Sequence, residues 1–337
     1  MKILSVIVPC YNSQDYMHVC IDSLLKGGND LEIILVNDGS TDKTAGIADD
    51  YARRYGGRIM VIHQENKGHG GAINAGLTAA TGEFVKIVDS DDWVDEAALG
   101  EIITCLRGFG ADGPPDVVVS NYVYEKAGRR RKAVIRYNKV FPAGRIFTWE
   151  ETKPFRLGQY MLMHALLYRR SVLAKSGAVL PEHTFYVDNI YAYVPLAHVE
   201  TLYYLDLDFY RYYIGREGQS VQESTMMKRI DQQIAVNIRM IGAVDLNTVD
   251  SGKKRRYLMH YLEIVTAVSS ILLIKEGGEN SAEKKDALWN TIKEQDSGLY
   301  NTLRRRFLGR ILHPRTAAGR RMSLLVYRIS QRIIGFN

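Results

Sequence analysis

Apolar positions in the first 120 residues come in short unbroken runs, separated by stretches with helical spacing. Residues 3–8, 31–36, 58–63, 83–88 and 116–120 are nearly continuous apolar runs rather than alternating ones, as expected of strands covered by helices on both faces. Residues 14–26, 42–55, 70–80 and 94–107 between them carry the helical period. Strands and helices in this alternation predict βαβ units, a mostly parallel sheet, and a ligand crevice at the strands' C-terminal ends.

From residue 121 the pattern changes. Residues 121–126 and 132–140 read as a hairpin with Arg129-Arg130-Arg131-Lys132 at its tip, and 153–212 are mixed, ending in an aromatic strand over 202–213. After residue 224 the spacing is helical. A boundary near 220 follows, with a catalytic domain over 1–220 (a ligand-binding half, 1–120, and an acceptor half, 121–220) and a helical region over 221–337.

Charge divides the chain in the same sense. Residues 1–120 hold 9 Lys/Arg against 18 Asp/Glu, net −9, and the remainder holds 35 against 20, net +15, giving the overall +6. An acidic half beside a basic one suits a metal-binding catalytic unit joined to a part that faces anions. Three cysteines without a CxxC pair fit a reducing, cytoplasmic setting. The N-terminal run, broken by Pro9, lacks the features of a signal peptide. The apolar stretch 264–274, interrupted by Thr266, Ser269 and Ser270, falls short of the ~20 residues of a membrane span.

Candidate chemistry sits where the strands end. Pro9-Cys10-Tyr11-Asn12 closes the first strand, and Tyr11 could lie flat against a base. Asn37-Asp38-Gly39-Ser40-Thr41-Asp42 follows the second. Its last residues make a turn and a helix cap, which leaves Asp38 to accept a hydrogen bond from a ligand N–H. Asp89-Ser90-Asp91-Asp92 follows the fourth. Three carboxylates so close repel one another, and a hard cation, Mn²⁺ or Mg²⁺, relieves the repulsion together with substrate phosphates. Either Asp91 or Asp92 is expected to cap the next helix. Between these clusters, Asn66-Lys67-Gly68-His69-Gly70-Gly71 opens a helix whose amides could approach a phosphate, with Lys67 adding charge and His69 packing, capping or ligating.

Taken together, VIVPCYN, VNDGSTDKT, NKGHGGAINAGL and KIVDSDDW stand in an order and spacing that resembles glycosyltransferase family 2. The resemblance implies the GT-A fold, with a mixed, mostly parallel sheet and here a helical C-terminal extension. It also implies inverting, metal-dependent transfer of a sugar from a nucleotide-diphosphate donor, usually a UDP-sugar. By position, Pro9, Tyr11 and Asp38 would hold the nucleoside. Asp89 and Asp91 match the DxD motif, Asp91 as the direct metal ligand, with Asp92 structural. Asp188, in Phe185-Tyr186-Val187-Asp188-Asn189, falls at the position of the catalytic base, with Val187 where the family commonly has glutamate. Tyr210-Arg211-Tyr212-Tyr213 and Gly218-Gln219-Ser220-Val221 resemble the nonprocessive members' segment, placing Arg211 or Arg216 at the diphosphate.

Single-sugar addition to a glycan or lipid-linked acceptor in cell-surface polysaccharide synthesis is the expected activity. The competing expectation is a catalytically degenerate nucleotide-sugar-binding or scaffold protein. Residues 297–337 contain nine arginines and no acidic residue. Over 315–337 the apolar spacing fits either a helix docked on its own protein or one lying on an anionic membrane at the inner face of the cell membrane. Nucleic acid is not an expected partner, because no aromatic stacking platform accompanies the arginines.

Overall fold

Leu4–Cys10 is buried at every position and forms β1; Leu31–Asp38, equally buried, forms β2 beside it. Both are rich in Val, Ile and Leu, so packing on two faces favours extended chain there. Ile59–Gln64 (β3) and Phe84–Ile87 (β4) complete a parallel group in the order β3-β2-β1-β4. The connections are helical: α1 (Met17–Leu25), α2 (Thr44–Arg54) and α3 (Gly68–Ala79).

The computed structural model describes residues 2–109, 113–126, 132–215 and 222–313. Arg129–Arg131 of the basic tip, Arg216, the 218–221 segment and the 315–337 tail lie outside the described residues. The described residues fall into two compact units, those within 1–153 and 161–216, and those within 154–160 and 217–337.

In the first unit the sheet continues past β4 through Leu166–Arg169 (β9), Val117–Lys126 (β6), Thr201–Ile214 (β10) and Trp93–Val94 (β5). Ala133–Ile135 (β7) pairs with β6 and Ile146–Thr148 (β8) with β10. The sheet is therefore mixed. Parallel pairing governs the β3-β2-β1-β4 half and the long β6–β10 pair, while β9, β5, β7 and β8 join antiparallel. Helices α4 (Glu96–Arg107), α5 (Arg170–Ser176) and α6 (Asp188–Tyr193) complete the unit. Two expected boundaries move. Val117–Lys126 is one strand rather than a strand and a hairpin arm, and α4 begins at Glu96 because Trp93 and Val94 pair with Arg211 and Tyr210.

The second unit is helical: α7 (Glu223–Lys228), α8 (Ile230–Ala243), α9 (Gly252–Glu276), α10 (Glu279–Gln295), α11 (Ser297–Arg305) and α12 (Phe307–Ile311). Its centre is α9, 25 residues long, whereas the sequence suggested a much shorter apolar stretch. By length and composition α9 could cross a membrane, but 78% of its apolar window is buried in the protein, as in a core helix. Its polar residues are paired inside: Asn237 Nδ2 donates to Thr266 Oγ1 at 3.1 Å, Trp289 Nε1 to Ser270 Oγ at 3.0 Å, and Arg306 meets Glu263. Residues 154–160 belong here through Phe155 on Tyr257 (ring centroids 4.5 Å apart) and Tyr160 on Tyr261 (4.9 Å).

Candidate active site

The C-terminal ends of β1, β2 and β4 deliver three loops to one edge of the sheet, at the β1–β4 switch where such sheets bind ligands. The loops are laced together. Asn12, at φ +49°, donates its amide to Ser40 Oγ at 3.0 Å and accepts from the Thr41 amide at 2.9 Å. Asp42 takes the amides of Thr44 and Gln14, so it serves the start of α2 as expected and fastens the β1 loop as well. Ser13 Oγ meets Ser90 Oγ at 2.8 Å, which ties the β1 loop to the acidic cluster. Beside this lacing, Tyr11 is 52% exposed with its ring open to solvent.

Asp38 is buried at the end of β2. One carboxylate oxygen, Oδ1, accepts from Gln64 Nε2 at 2.6 Å and from the Lys67 amide at 2.8 Å, and the other has no hydrogen bond among the described residues. Gly39 adopts φ +69°, and a Cβ there would lie 2.7 Å from the Asn66 backbone nitrogen, so the turn requires glycine.

The glycines of α3 allow another segment of the chain to pack closely on the helix start. A Cβ on Gly70 would stand 2.4 Å from the Pro181 carbonyl oxygen, and one on Gly68, at φ +73°, 2.8 Å from the His183 nitrogen. They let the 180–183 segment press onto the start of α3, where the His183 amide donates to the Lys67 carbonyl and Asn74 pairs with both backbone groups of Leu180. Lys67 pairs with Glu182 at 3.3 Å on the surface. This packing carries the chain directly into Asp188, the first residue of α6.

His69, at the first turn of α3, places Nε2 2.9 Å from Asp89 Oδ1. Burial lowers the His69 pKa, but the hydrogen bond and the charges of Asp89, Asp188 and Asp91 outweigh it and hold the imidazole above its ordinary value. Asp89 responds in the opposite direction: burial raises it, and the His69 bond and charge, with help from His164 and Lys86, bring it below its ordinary value. The Asp188 carboxyl is pushed up to about 6 by burial and the Asp89 charge, against the pull of His69.

Two of the expected site residues have partners that the sequence did not indicate. Asp92 does not cap a helix; Asp95 does, accepting from the Ala98 amide at 3.1 Å. Asp92 is 1% exposed, accepting from the Tyr210 hydroxyl at 2.6 Å and the Tyr213 amide at 2.8 Å. Burial and its acidic neighbours hold its carboxyl well above the usual carboxylate range. Arg211, expected at the diphosphate, is instead held by Asp95 at 2.7 Å and Glu125 at 3.3 Å with its side chain largely buried. Two carboxylates offset its charge there.

Behind the cluster lie residues that the motifs do not announce. Lys86, in the middle of β4, is fully buried and donates to the carbonyls of Met163, His164 and Leu166. Burial holds its ammonium well below the ordinary lysine value, opposed by Asp89 and Asp92. A lysine inside a strand covered on both faces was visible in KIVDSDD; His164 carries no such signal. Burial lowers the His164 imidazole to about 4.

Two donor sets are available for a cation. Asp89, Asp92 and His164 bring one donor atom each within 4.8 Å of one another, but both Asp92 oxygens are already engaged. Asp89 and Asp91 are both half-buried, and together they would offer the harder, all-oxygen set of the kind that suits Mn²⁺ or Mg²⁺.

A nucleotide-binding α/β sheet of this order, with clustered carboxylates at its switch point and a further one on α6, is the GT-A glycosyltransferase architecture. The chain belongs to glycosyl transferase family 2, whose family model matches residues 5–174. It is similar to glycosyltransferase GlyG of Streptococcus pneumoniae serotype 4, 42% identical over 123 residues, 36% of this chain and 39% of that protein. It is also similar to the poly(ribitol-phosphate) beta-glucosyltransferase of Bacillus spizizenii, 39% identical over 103 residues, 29% of this chain and 16% of that one. The chain spans about a third of the length of the curated relatives it matches first. Among solved structures, S. aureus TarS 1–349 in complex with UDP superposes with a TM-score of 0.67 at 20% identity, covering 98% of this chain and 92% of that one.

Proposed function

We propose that the protein transfers a single sugar, with inversion, from a UDP-sugar to a hydroxyl of a glycan or lipid-linked acceptor in cell-surface polysaccharide synthesis. The observation that carries this reading is that His69, at the start of α3, bonds Asp89 of the acidic cluster at 2.9 Å while the 180–183 segment that leads into Asp188 packs on the same start of α3. The UDP complex of the TarS structure supports the choice of nucleotide, and the poly(ribitol-phosphate) relative supports a cell-surface polymer as acceptor.

In this reading the free oxygen of Asp38 accepts the N–H of the uracil ring while Tyr11 covers its face. Pro9 shapes the end of β1 beneath them. Asp89 and Asp91 would hold Mn²⁺ or Mg²⁺, which when bound supplies positive charge against the departing diphosphate. His69 keeps Asp89 ionised and oriented for that task. Asp188 accepts the acceptor's hydroxyl proton as its oxygen bonds to the anomeric carbon and the bond from that carbon to the diphosphate breaks. Attack from the face opposite the leaving group inverts the centre. The basic stretch 297–337 supports a peripheral position on anionic membrane.

A donor panel tests the whole of this. UDP-sugars with Mn²⁺ should raise the thermal midpoint of the wild-type protein where GDP- and dTDP-sugars do not. Asp91→Ala should abolish the Mn²⁺-dependent part of that rise and any transfer, with the unliganded midpoint unchanged. Full activity of Asp91→Ala in the presence of EDTA would sink the metal assignment. UDP-sugar binding without turnover on any acceptor would favour a scaffold.

A further inference from the structure

The four residues of the acidic cluster form a turn, closed by the Asp92 amide donating to the Asp89 carbonyl at 3.0 Å. One hydroxyl grips both ends of it. Tyr210, 121 residues further along the chain, accepts from the Asp89 amide at 3.2 Å and donates to Asp92 Oδ2 at 2.6 Å. The ring behind that hydroxyl is itself fixed. His164 stacks on it at 4.6 Å with 21° between planes, and the Lys86 ammonium lies 4.9 Å from its centroid. Lys86 and Tyr210 are fully buried and His164 is 6% exposed. The three carbonyls that receive the Lys86 ammonium belong to the 163–166 turn that carries His164.

We propose that Tyr210 is a positioning residue for the metal and diphosphate site: its hydroxyl sets the shape of the Asp89–Asp92 turn, and Lys86 with His164 holds the ring in place. The proposal rests on the metal reading above. A buried lysine whose hydrogen bonds go to backbone carbonyls is expensive to keep, because taking an ammonium out of water costs on the order of several kcal/mol. The arrangement is accounted for if it stiffens the turn that presents Asp89 and Asp91. A turn held at both ends loses less freedom when a cation fixes its carboxylates, so the clamp acts on metal affinity and leaves the uracil contacts at Asp38 untouched.

Tyr210→Phe removes the hydroxyl and keeps the stacked ring. Amide hydrogen exchange should quicken at least tenfold at residues 89–92 and stay as in wild type in β1 and β2. In UDP titrations followed by thermal shift, the Mn²⁺ concentration for half-saturation should rise about tenfold, with metal-free UDP binding unchanged. Wild-type exchange at 89–92 together with a Mn²⁺ half-saturation within twofold of wild type overturns the proposal, as does loss of protection spread evenly over the sheet. Should Tyr210→Phe fail to fold, Asp92→Asn keeps the tyrosine but leaves one oxygen to serve two donors, and the same two readouts apply. A wild-type protein whose UDP binding ignores Mn²⁺ would remove the metal assignment alone; the local exchange result then decides the clamp by itself.

Discussion

Asp188 owes its chemistry to two opposed surroundings. Burial and the Asp89 charge push its carboxyl up to about 6 while His69 pulls it down, so it is mostly ionised at neutral pH and still basic enough to take a proton. As the proposed base it must be deprotonated to act, so the rate should be present above that value and lost as pH falls through it. We expect kcat/KM to decline tenfold per pH unit below about pH 6. Asp188→Asn should abolish that limb and lower kcat by roughly 10²–10⁴ while UDP binding by thermal shift stays intact. Undiminished turnover in the variant would exclude Asp188 as the base. At this scale the sequence was informative where a residue's task is local, as with Asp38 at a strand end. It misdirected at Asp92, whose partner comes from 118 residues away, and it did not show the carboxylates that hold Arg211, 116 and 86 residues away. A helix cap for Asp92 was the natural local explanation, and Asp95 had already taken that place.

Elements here are joined by a few buried polar groups. Glu32, on β2, accepts from Ser5 Oγ of β1 and from the Thr81 amide, the Thr81 hydroxyl and the Gly82 amide before β4. Burial raises its carboxyl, but these bonds outweigh it and hold the group below its ordinary value. Its contribution to stability is therefore full above the unfolded-state value of roughly 4.3 and lost as pH falls through the lower folded one. Glu32→Gln should lower stability at pH 7 by about 1–3 kcal/mol, measured by urea unfolding, and the gap from wild type should narrow in acid. An unchanged midpoint at pH 7 would show that the joint is dispensable. The α3 glycines make a second joint. Gly70→Ala forces a Cβ onto the Pro181 carbonyl, so the 180–183 segment must shift, at about 1–3 kcal/mol for overpacking. A fall in kcat larger than the change in UDP affinity would trace that shift to Asp188. The strands and helices of residues 1–107 were readable within a few residues, since apolar runs and helical periods are local. The function of these glycines was not, because their partners lie in a segment more than 100 residues away.

For the whole molecule, charge is the property that sequence and structure describe together. Asp89, Asp91 and Asp92 stand just after β4, and residues 297–337 carry nine arginines and no acidic residue. The full chain should sediment with vesicles containing phosphatidylserine at low salt and release from them as ionic strength rises. A chain ending at residue 314 should sediment several-fold less; equal sedimentation of the two would exclude 315–337 as the membrane contact. α9 illustrates the limit of composition at this scale. Its apolar content would allow a span, and its burial together with the pairing of its polar residues marks it as a core helix.

The chain order of the two units sets a schedule during synthesis. Residues 154–160 emerge in the middle of the sheet-bearing unit, yet the rings that receive Phe155 and Tyr160, those of Tyr257 and Tyr261, are made about 100 residues later. At roughly 5–20 residues per second, this aromatic segment waits several seconds or more without its partners on the ribosome. A nascent chain paused near residue 220 should be cut by chymotrypsin at 155–160, and one released at full length should resist.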